Sequence, residues 1–344
     1  MAERVKMTDI AEAAGVSAVT VSYALRDNVG GVSAEKRQEI RRIAEEMGYT
    51  ANPAARILKS KHNPDIGMLV MARDYQLDFL EIMAEVASLC EKANIRFHIE
   101  SCDPQNNDHL PPLLYNGMAG GVILVGFPTP RISEYLQQAS LPVVQVFEDG
   151  PHSVKFDIAS GVAESVQYLV AQRHTRIGYI DSANQHYHIN RDARRGFEAA
   201  VKEFNCEFDE SLHYVIDDRK DFQESVEEAV RQLVLDNPNP PTALLSPWDN
   251  FTRAIITCLF AHNLKVPQDI SICGRFMTSR CADMSYPPIS TLECNHAVMA
   301  QRAFATLRNV MEGHAVSSAP TLLRPTLVIR ETIGRNPKLK EGNV

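Results

Sequence analysis

The 344-residue chain has no long apolar run, no paired cysteines and none of the short signatures that carry nucleotide, zinc or acyl-transfer chemistry. No stretch reaches the ~20 uninterrupted apolar residues of a membrane span, and the opening MAERVKMTD is too charged to be the centre of a secretory signal. A cytoplasmic protein with no membrane partner is expected. The seven cysteines, Cys90, Cys102, Cys206, Cys258, Cys273, Cys281 and Cys294, are odd in number and scattered without a C-x-x-C pair. They read as small buried hydrophobes rather than redox sensors or metal ligands. A G-x-G-x-x-G after a strand, a G-x-x-x-x-G-K-[ST], an H-E-x-x-H and a G-x-S-x-G are all missing, which argues against an enzyme. His186 and His188 in NQHYHIN alternate, as two ligands on an extended loop would. With no Cys or carboxylate at a companion spacing, they read instead as loop residues lining or rimming a pocket, and no metal or cofactor is expected.

What is present points to two or three folding units. Residues 1–62 hold ten Lys or Arg against eight Asp or Glu, a net +2, whereas the whole chain carries −8 and the remainder therefore −10. A slightly basic head on an acidic body suits a small module that meets a polyanion and a larger one that does not.

The head reads as three helices. Thr8 is placed to cap the first, which runs through Ala14; Gly15 allows a turn, and Ser17 caps a second helix through about Leu25. Ser33 caps a third, in which Ile40, Ile43, Ala44 and Met47 recur at helical spacing before Gly48 supplies the stop. Ile10, Ala14, Val16, Val21 and Leu25 complete a small core. The second helix then presents Ala18, Val19, Ser22, Tyr23 and Arg26 outward.

MTDIAEAAGVSAVTVSYAL, followed by VSAEKRQEIRRIAEEMGYTANPAARILKS, resembles the DNA-binding head of the lac repressor family of bacterial transcription regulators over about sixty residues. The resemblance implies a helix-turn-helix over residues 1–48 whose second helix enters the major groove of an operator. It maps base contact onto Ala18, Val19 and Tyr23, sets Thr20 and Ser22 nearer the phosphates, and adds Thr8, Ser17, Asn52, Arg56 and Lys59 to the DNA-binding residues. Ala18 and Val19 can offer only apolar contact, as to thymine methyls. Tyr23 stands where many relatives carry Arg, and Arg26 where many carry Asn, so an operator departing from the family's commonest sequence is expected. Residues 49–63, with NPAARILKSKHNP, match the family's hinge, which becomes helical on DNA and wedges a Leu from each subunit into the minor groove; Leu58 holds that position. Ala51 replaces a Pro common in relatives.

From Ile66 the pattern alternates apolar strands, IGMLVM, IRFHIE, GVILV, PVVQV, RIGYI, LHYVI, TALLS and ISICG, with amphipathic stretches such as FLEIMAEVASLCEKA and DFQESVEEAVRQLV. Strands separated by helices form parallel sheets, and residues 64–344 are long enough for two doubly wound lobes with a ligand between them. The resemblance continues here as a periplasmic-binding-protein-like body. It places the N-lobe at about 64–160 plus 291–325 and the C-lobe at about 161–290 plus 326–336, with crossovers near Gly161, Pro288 and Pro325.

Many sugar-responsive relatives have an Arg, an Asn and an Asp at the positions filled here by Ala193, Trp248 and Phe276. Asp249 remains, and Arg191 and Arg275 lie close enough in sequence to replace one guanidinium. Phe79, Tyr187, Trp248 and Phe276 could stack on a sugar ring or flat ligand; alternatively they fill the cleft, and a protein partner governs the molecule. Asp157 sits at a position where the family carries Asp, for ligand contact or for lobe geometry. The function implied is a homodimeric, sequence-specific DNA-binding regulator, expected to be a repressor, whose partners are an approximately palindromic double-stranded operator and a small-molecule effector related to carbohydrates. A solute-binding protein without DNA function is the rival, opposed by the head.

Overall fold

The computed structural model of the chain describes residues 5–25, 32–47, 63–71, 77–103, 109–183, 188–217, 219–277 and 279–338. It divides into two compact units, Met1–Asn63 and Pro64–Val344. No helix among the described residues is long and apolar enough to cross a membrane.

The described residues of the first unit form three helices, α1 (Met7–Ala14), α2 (Ala18–Ala24) and α3 (Ala34–Glu46). Ile10, Ala11, Ala14, Val21, Ala24, Ile40 and Ala44 are buried between them, with Val16, Ala18, Leu25, Ile43 and Met47 packed partly against that cluster. Thr8 does not cap α1. The N-cap is Lys6, whose backbone N–H donates to Asp9 Oδ2 at 2.7 Å, while Thr8 sits inside the first turn with its hydroxyl 3.3 Å from Asp9 Oδ1. A carboxylate in the first turn takes the free amide and favours the positive end of the helix dipole, so the helix starts two residues earlier. Gly15 ends α1 in the left-handed region at φ 63°. Ser17 and Ser33 cap as their spacing predicts, accepting from the N–H of Thr20 at 3.1 Å and of Lys36 at 3.3 Å.

The second unit holds two six-stranded sheets. The first orders β1 (Ile66–Met71), β2 (Phe97–Cys102), β3 (Gly121–Val125), β4 (Val143–Val146), β5 (Val154–Phe156) and β11 (Thr321–Leu323) as 11-5-4-3-1-2. The second orders β6 (Ile177–Ser182), β7 (His213–Ile216), β8 (Ala243–Leu245), β9 (Ser271–Met277), β10 (Thr291–Glu293) and β12 (Thr326–Val328) as 12-10-9-8-6-7. Among the described residues all strand pairings are parallel except β10 with β12. Continuous apolar runs such as GVILV are buried at every position because helices cover both faces of a parallel sheet.

Eight strands lie where the apolar runs predict them; β5, β10, β11 and β12 are three-residue pieces outside those runs, with no period of their own. The chain crosses between sheets three times: after Phe156 through the helix Ile158–Ala171, after Glu293 through the helix His296–Met311, and between Leu323 and Thr326. The crossing expected near Pro288 falls later, since β10 still belongs to the second sheet and residues 291–293 are C-lobe. The crossings converge: a Cβ on Gly161 would lie 2.7 Å from both Leu292 Cδ2 and Pro325 Cγ. Asp157 serves lobe geometry. It caps the helix Ile158–Ala171, its Oδ1 accepting from Ser160 N–H at 3.2 Å and its Oδ2 from the Ser160 hydroxyl at 2.7 Å, and its own N–H donates to Leu323 O at 2.8 Å.

Five of the seven cysteines are buried and two half-buried, and none forms a disulfide. Burial pushes the Cys90 thiol up to about 11 and Cys273 up to about 12, which removes the thiolate needed for redox or metal chemistry at these two positions.

Candidate DNA-reading helix and interlobe residues

The head presents a short helix held at both ends. At its start, Ser17 Oγ caps the helix and lies 2.9 Å from Thr20 Oγ1, so both hydroxyls expected near DNA have a local partner first. At its end, Arg41 of α3 donates from Nε to the Ala24 carbonyl at 3.1 Å, placing a cation on one of the free acceptors of the last turn. Between these clamps Val21 and Ala24 face the core. Val19 is 61% exposed and Tyr23 40% exposed, four residues apart and therefore on one face of the helix. Ser22 is half-buried. Ala18, expected to face outward, packs partly on the core, because the first turn of so short a helix lies against its neighbours. Thr8 is exposed on α1. Arg26, Asn52, Arg56, Leu58 and Lys59 lie outside the described residues.

In the second unit Phe79, Arg191 and Trp248 belong to segments that follow parallel strands, at the edge where such sheets bind ligands, while Arg275 lies on β9 itself. Phe79 packs partly on the core, its ring 6.0 Å from Phe147. Trp248 is half-buried ahead of the helix Asp249–Ala261 and meets Phe251 edge-on at 6.1 Å. Arg191 is half-exposed on the helix His188–Glu203, with Nη2 3.9 Å from Asp149 Oδ2. Tyr187 and the side chains of Asp249 and Phe276 lie outside the described residues.

Arg275 has another use. It is 1% exposed, donating from Nε to Ser246 O at 3.3 Å, from Nη1 to the Tyr179 hydroxyl at 2.8 Å and from Nη2 to Ile180 O at 3.0 Å, with its guanidinium carbon 4.9 Å from the Tyr179 ring centre. Those bonds tie β6, β9 and the residue after β8 together, so this guanidinium builds the lobe instead of replacing a ligand clamp. Ala193 likewise lies fully within the core.

A polar network not anticipated from the sequence joins the lobes. After β4 the chain turns through Phe147 at φ 73°, an uncommon conformation for a bulky residue, and delivers Glu148 and Asp149 to the first turn of the helix His188–Glu203. Both Glu148 oxygens lie 3.1 Å from the His188 backbone nitrogen, which donates to the carboxylate. The buried Lys155 ammonium donates to Asp149, whose carboxyl is held below its ordinary range chiefly by that bond. His188 Nδ1 stands 3.5 Å from Asp149 Oδ2 and its Nε2 2.8 Å from Asp192 Oδ2. Burial holds the imidazole below the usual histidine range against the pull of Asp192.

Asp192 also corrects the expectation that no carboxylate stands at a companion spacing to His188. NQHYHIN is no extended loop at its end: His188 opens a helix and meets the residue four positions on. Among the described residues no group of three or more His, Cys, Asp or Glu is arranged to hold a metal ion. The available signal for Glu148 was the acidic pair in VFEDG directly after a buried strand.

A three-helix head presenting an exposed helix face, joined to a two-lobed body with the periplasmic-binding-protein fold, defines a helix-turn-helix regulator. Residues 6–52 match the family model for bacterial regulatory proteins, lacI family, and residues 166–333 match the periplasmic binding protein-like domain. The chain belongs to the LacI family. It is 28% identical over 339 residues to the HTH-type transcriptional regulator DegA of Bacillus subtilis (strain 168), covering 94% of this chain and 96% of DegA. It is 28% identical over 336 residues to the HTH-type transcriptional repressor CytR of Escherichia coli (strain K12), covering 94% and 95%. Among solved structures, the lac repressor dimer bound to operator and the anti-inducer ONPF matches with a TM-score of 0.83 at 21% identity, covering 96% of this chain and 99% of that one. A complex of the regulator CelR with cellobiose matches with 0.69 at 21% identity, covering 96% and 100%. The protein is a DNA-binding transcriptional regulator and not an enzyme.

Proposed function

We propose that this regulator is a cytoplasmic repressor that acts as a homodimer, reads an approximately palindromic operator through α2 and the hinge, and responds to a small molecule between its lobes. The observation that carries the proposal is the surface of α2. A seven-residue helix, fixed at Ser17 and at Arg41, leaves Val19 and Tyr23 exposed on one face while Val21 and Ala24 anchor the other. A groove of base edges gives an exposed valine methyl contact with thymine and gives a tyrosine hydroxyl a polar partner. Gel shift and footprinting on genomic fragments test it, with protection of a near-palindrome expected. Protection of a single asymmetric half-site by a monomer would refute the dimer.

Directional readout falls on Tyr23 and Arg26. Tyr23→Phe is expected to relax preference at one or two base pairs by ~1–3 kcal/mol with the salt dependence unchanged, because only a base-directed hydroxyl is lost. A randomised-operator selection at two salt concentrations measures this; an unaltered motif would move base recognition to Arg26. Leu58→Ala in the hinge should weaken specific binding by a few kcal/mol at most, since what it removes is a minor-groove wedge and its bend. Unchanged affinity and bending would assign Leu58 to a plain linker.

Phe79, Trp248 and Arg191, with Tyr187, Asp249 and Phe276, are the proposed effector contacts, and a carbohydrate or related metabolite is the proposed class, in keeping with the cellobiose-bound structural relative. A coupling of ~1–3 kcal/mol between effector and operator would change occupancy roughly 5- to 150-fold. A thermal-shift screen over sugars, sugar acids and nucleosides identifies the ligand. The polar network of Glu148, Asp149, Lys155 and His188 favours a second possibility, that side chains already occupy the space between the lobes and a protein partner controls the molecule; a screen in which no compound raises the melting temperature would support it.

A further inference from the structure

We infer that Glu148 is a proton-binding latch between the lobes, so that closing the body takes up a proton. Its position carries the inference. Glu148 leaves the N-lobe directly after β4, is 3% exposed, and is met from the C-lobe by the backbone N–H of His188. The charged and titratable groups facing it are Asp149 on its own loop, Lys155 on β5, and His188 and Arg191 on the C-lobe helix, with Asp192 behind His188. Lys155 is bonded to Asp149, and Arg191 Nη2 stands 3.9 Å from that same carboxylate.

Burial therefore outweighs the single amide donor and the cations, and the Glu148 acid is pushed up to about 7. If the lobes part, Glu148 returns to water and to the ordinary carboxylate range. The arrangement with the higher pKa binds the proton more tightly, so falling pH favours closure and rising pH through about 7 weakens it. His188 acts in the opposite sense. Its burial disfavours the charged imidazole, so acidification through the histidine range opposes closure. Asp149, held low by Lys155, titrates below this window.

The test compares the full-length protein with Glu148→Gln, which keeps an oxygen to accept from the His188 N–H but cannot ionise. Small-angle X-ray scattering from pH 5.5 to 8.5 should show the wild type expanding as pH rises through about 7. The linkage permits up to about a tenfold change in the closing equilibrium per pH unit. The variant should stay compact at high pH and, through His188, loosen slightly in acid. Because His188 acts in both proteins, the difference between them reports Glu148, and the same pH dependence of the radius in wild type and Glu148→Gln overturns the latch. If the variant aggregates, an NMR titration of the Glu148 carboxyl decides, and an ordinary carboxylate value overturns the proposal. Operator affinity over the same range forms a separate arm that rests on the proposed coupling of lobes to head: pH-dependent closure with flat affinity leaves the latch standing and refutes the coupling.

Discussion

Arg275→Leu will destabilise the body by about 2–4 kcal/mol. The substitution keeps apolar bulk but strands the carbonyls of Ser246 and Ile180 and the Tyr179 hydroxyl, all of which the guanidinium now satisfies. Each buried polar atom left without a partner costs ~1–3 kcal/mol, and relief from desolvating a buried guanidinium returns only part of that sum. The cation over the Tyr179 ring is lost as well. Urea denaturation of the two proteins measures the difference. The result separates two roles for this residue. A scaffold arginine lowers stability with or without effector, whereas a ligand clamp would leave the denaturation midpoint unchanged and abolish only the effector response; the second outcome would reverse the assignment made from its bonds.

Gly196→Ala is expected to cost about 1–3 kcal/mol, although alanine is the better helix former. Helix propensity alone favours the substitution by ~1 kcal/mol. The added methyl, however, would stand 2.4 Å from the Ala159 carbonyl oxygen and 2.7 Å from its Cα, both backbone atoms that no rotamer can move aside. The helices Ile158–Ala171 and His188–Glu203 must then separate, disturbing the Tyr179–Phe197 stack at 4.3 Å beneath them, and overpacking of this kind exceeds the propensity gain. Thermal unfolding reads the sign directly. A rise in melting temperature for Gly196→Ala would mean that the two helices have room to separate.

The regions legible in the sequence are those where one physical signal dominates. The turn at Gly15 and the caps at Ser17 and Ser33 are local events, decided by one residue free to take a positive φ and by a side-chain oxygen that meets an unfilled amide three residues on. Thr8 does not cap because Asp9 competes for the same helix start and, as a carboxylate, is the better partner for it. Strands that sit inside an apolar run of five or more residues announce themselves, β8 within TALLS included. The three-residue strands β5, β10, β11 and β12 have no such run in the sequence, and only the neighbouring strand turns the fragment into part of a sheet.

The residues between the lobes show the same division. Phe79 and Trp248 stand out by type, but whether Arg275 faces a ligand or its own lobe depends on the approach of Ser246, Tyr179 and Ile180 from other strands. Glu148 is one acid among many in sequence. It becomes distinctive only when folding sets it on the His188 amide and removes it from water. The sequence by itself determined the helix-turn-helix head, the alternation that forces parallel sheets, and the family, because these rest on spacing along one chain. The tertiary structure alone decided which charged groups share one buried space, because desolvation and hydrogen bonding act through space between residues such as Glu148 and His188, whose separation in the chain carries no periodic signal.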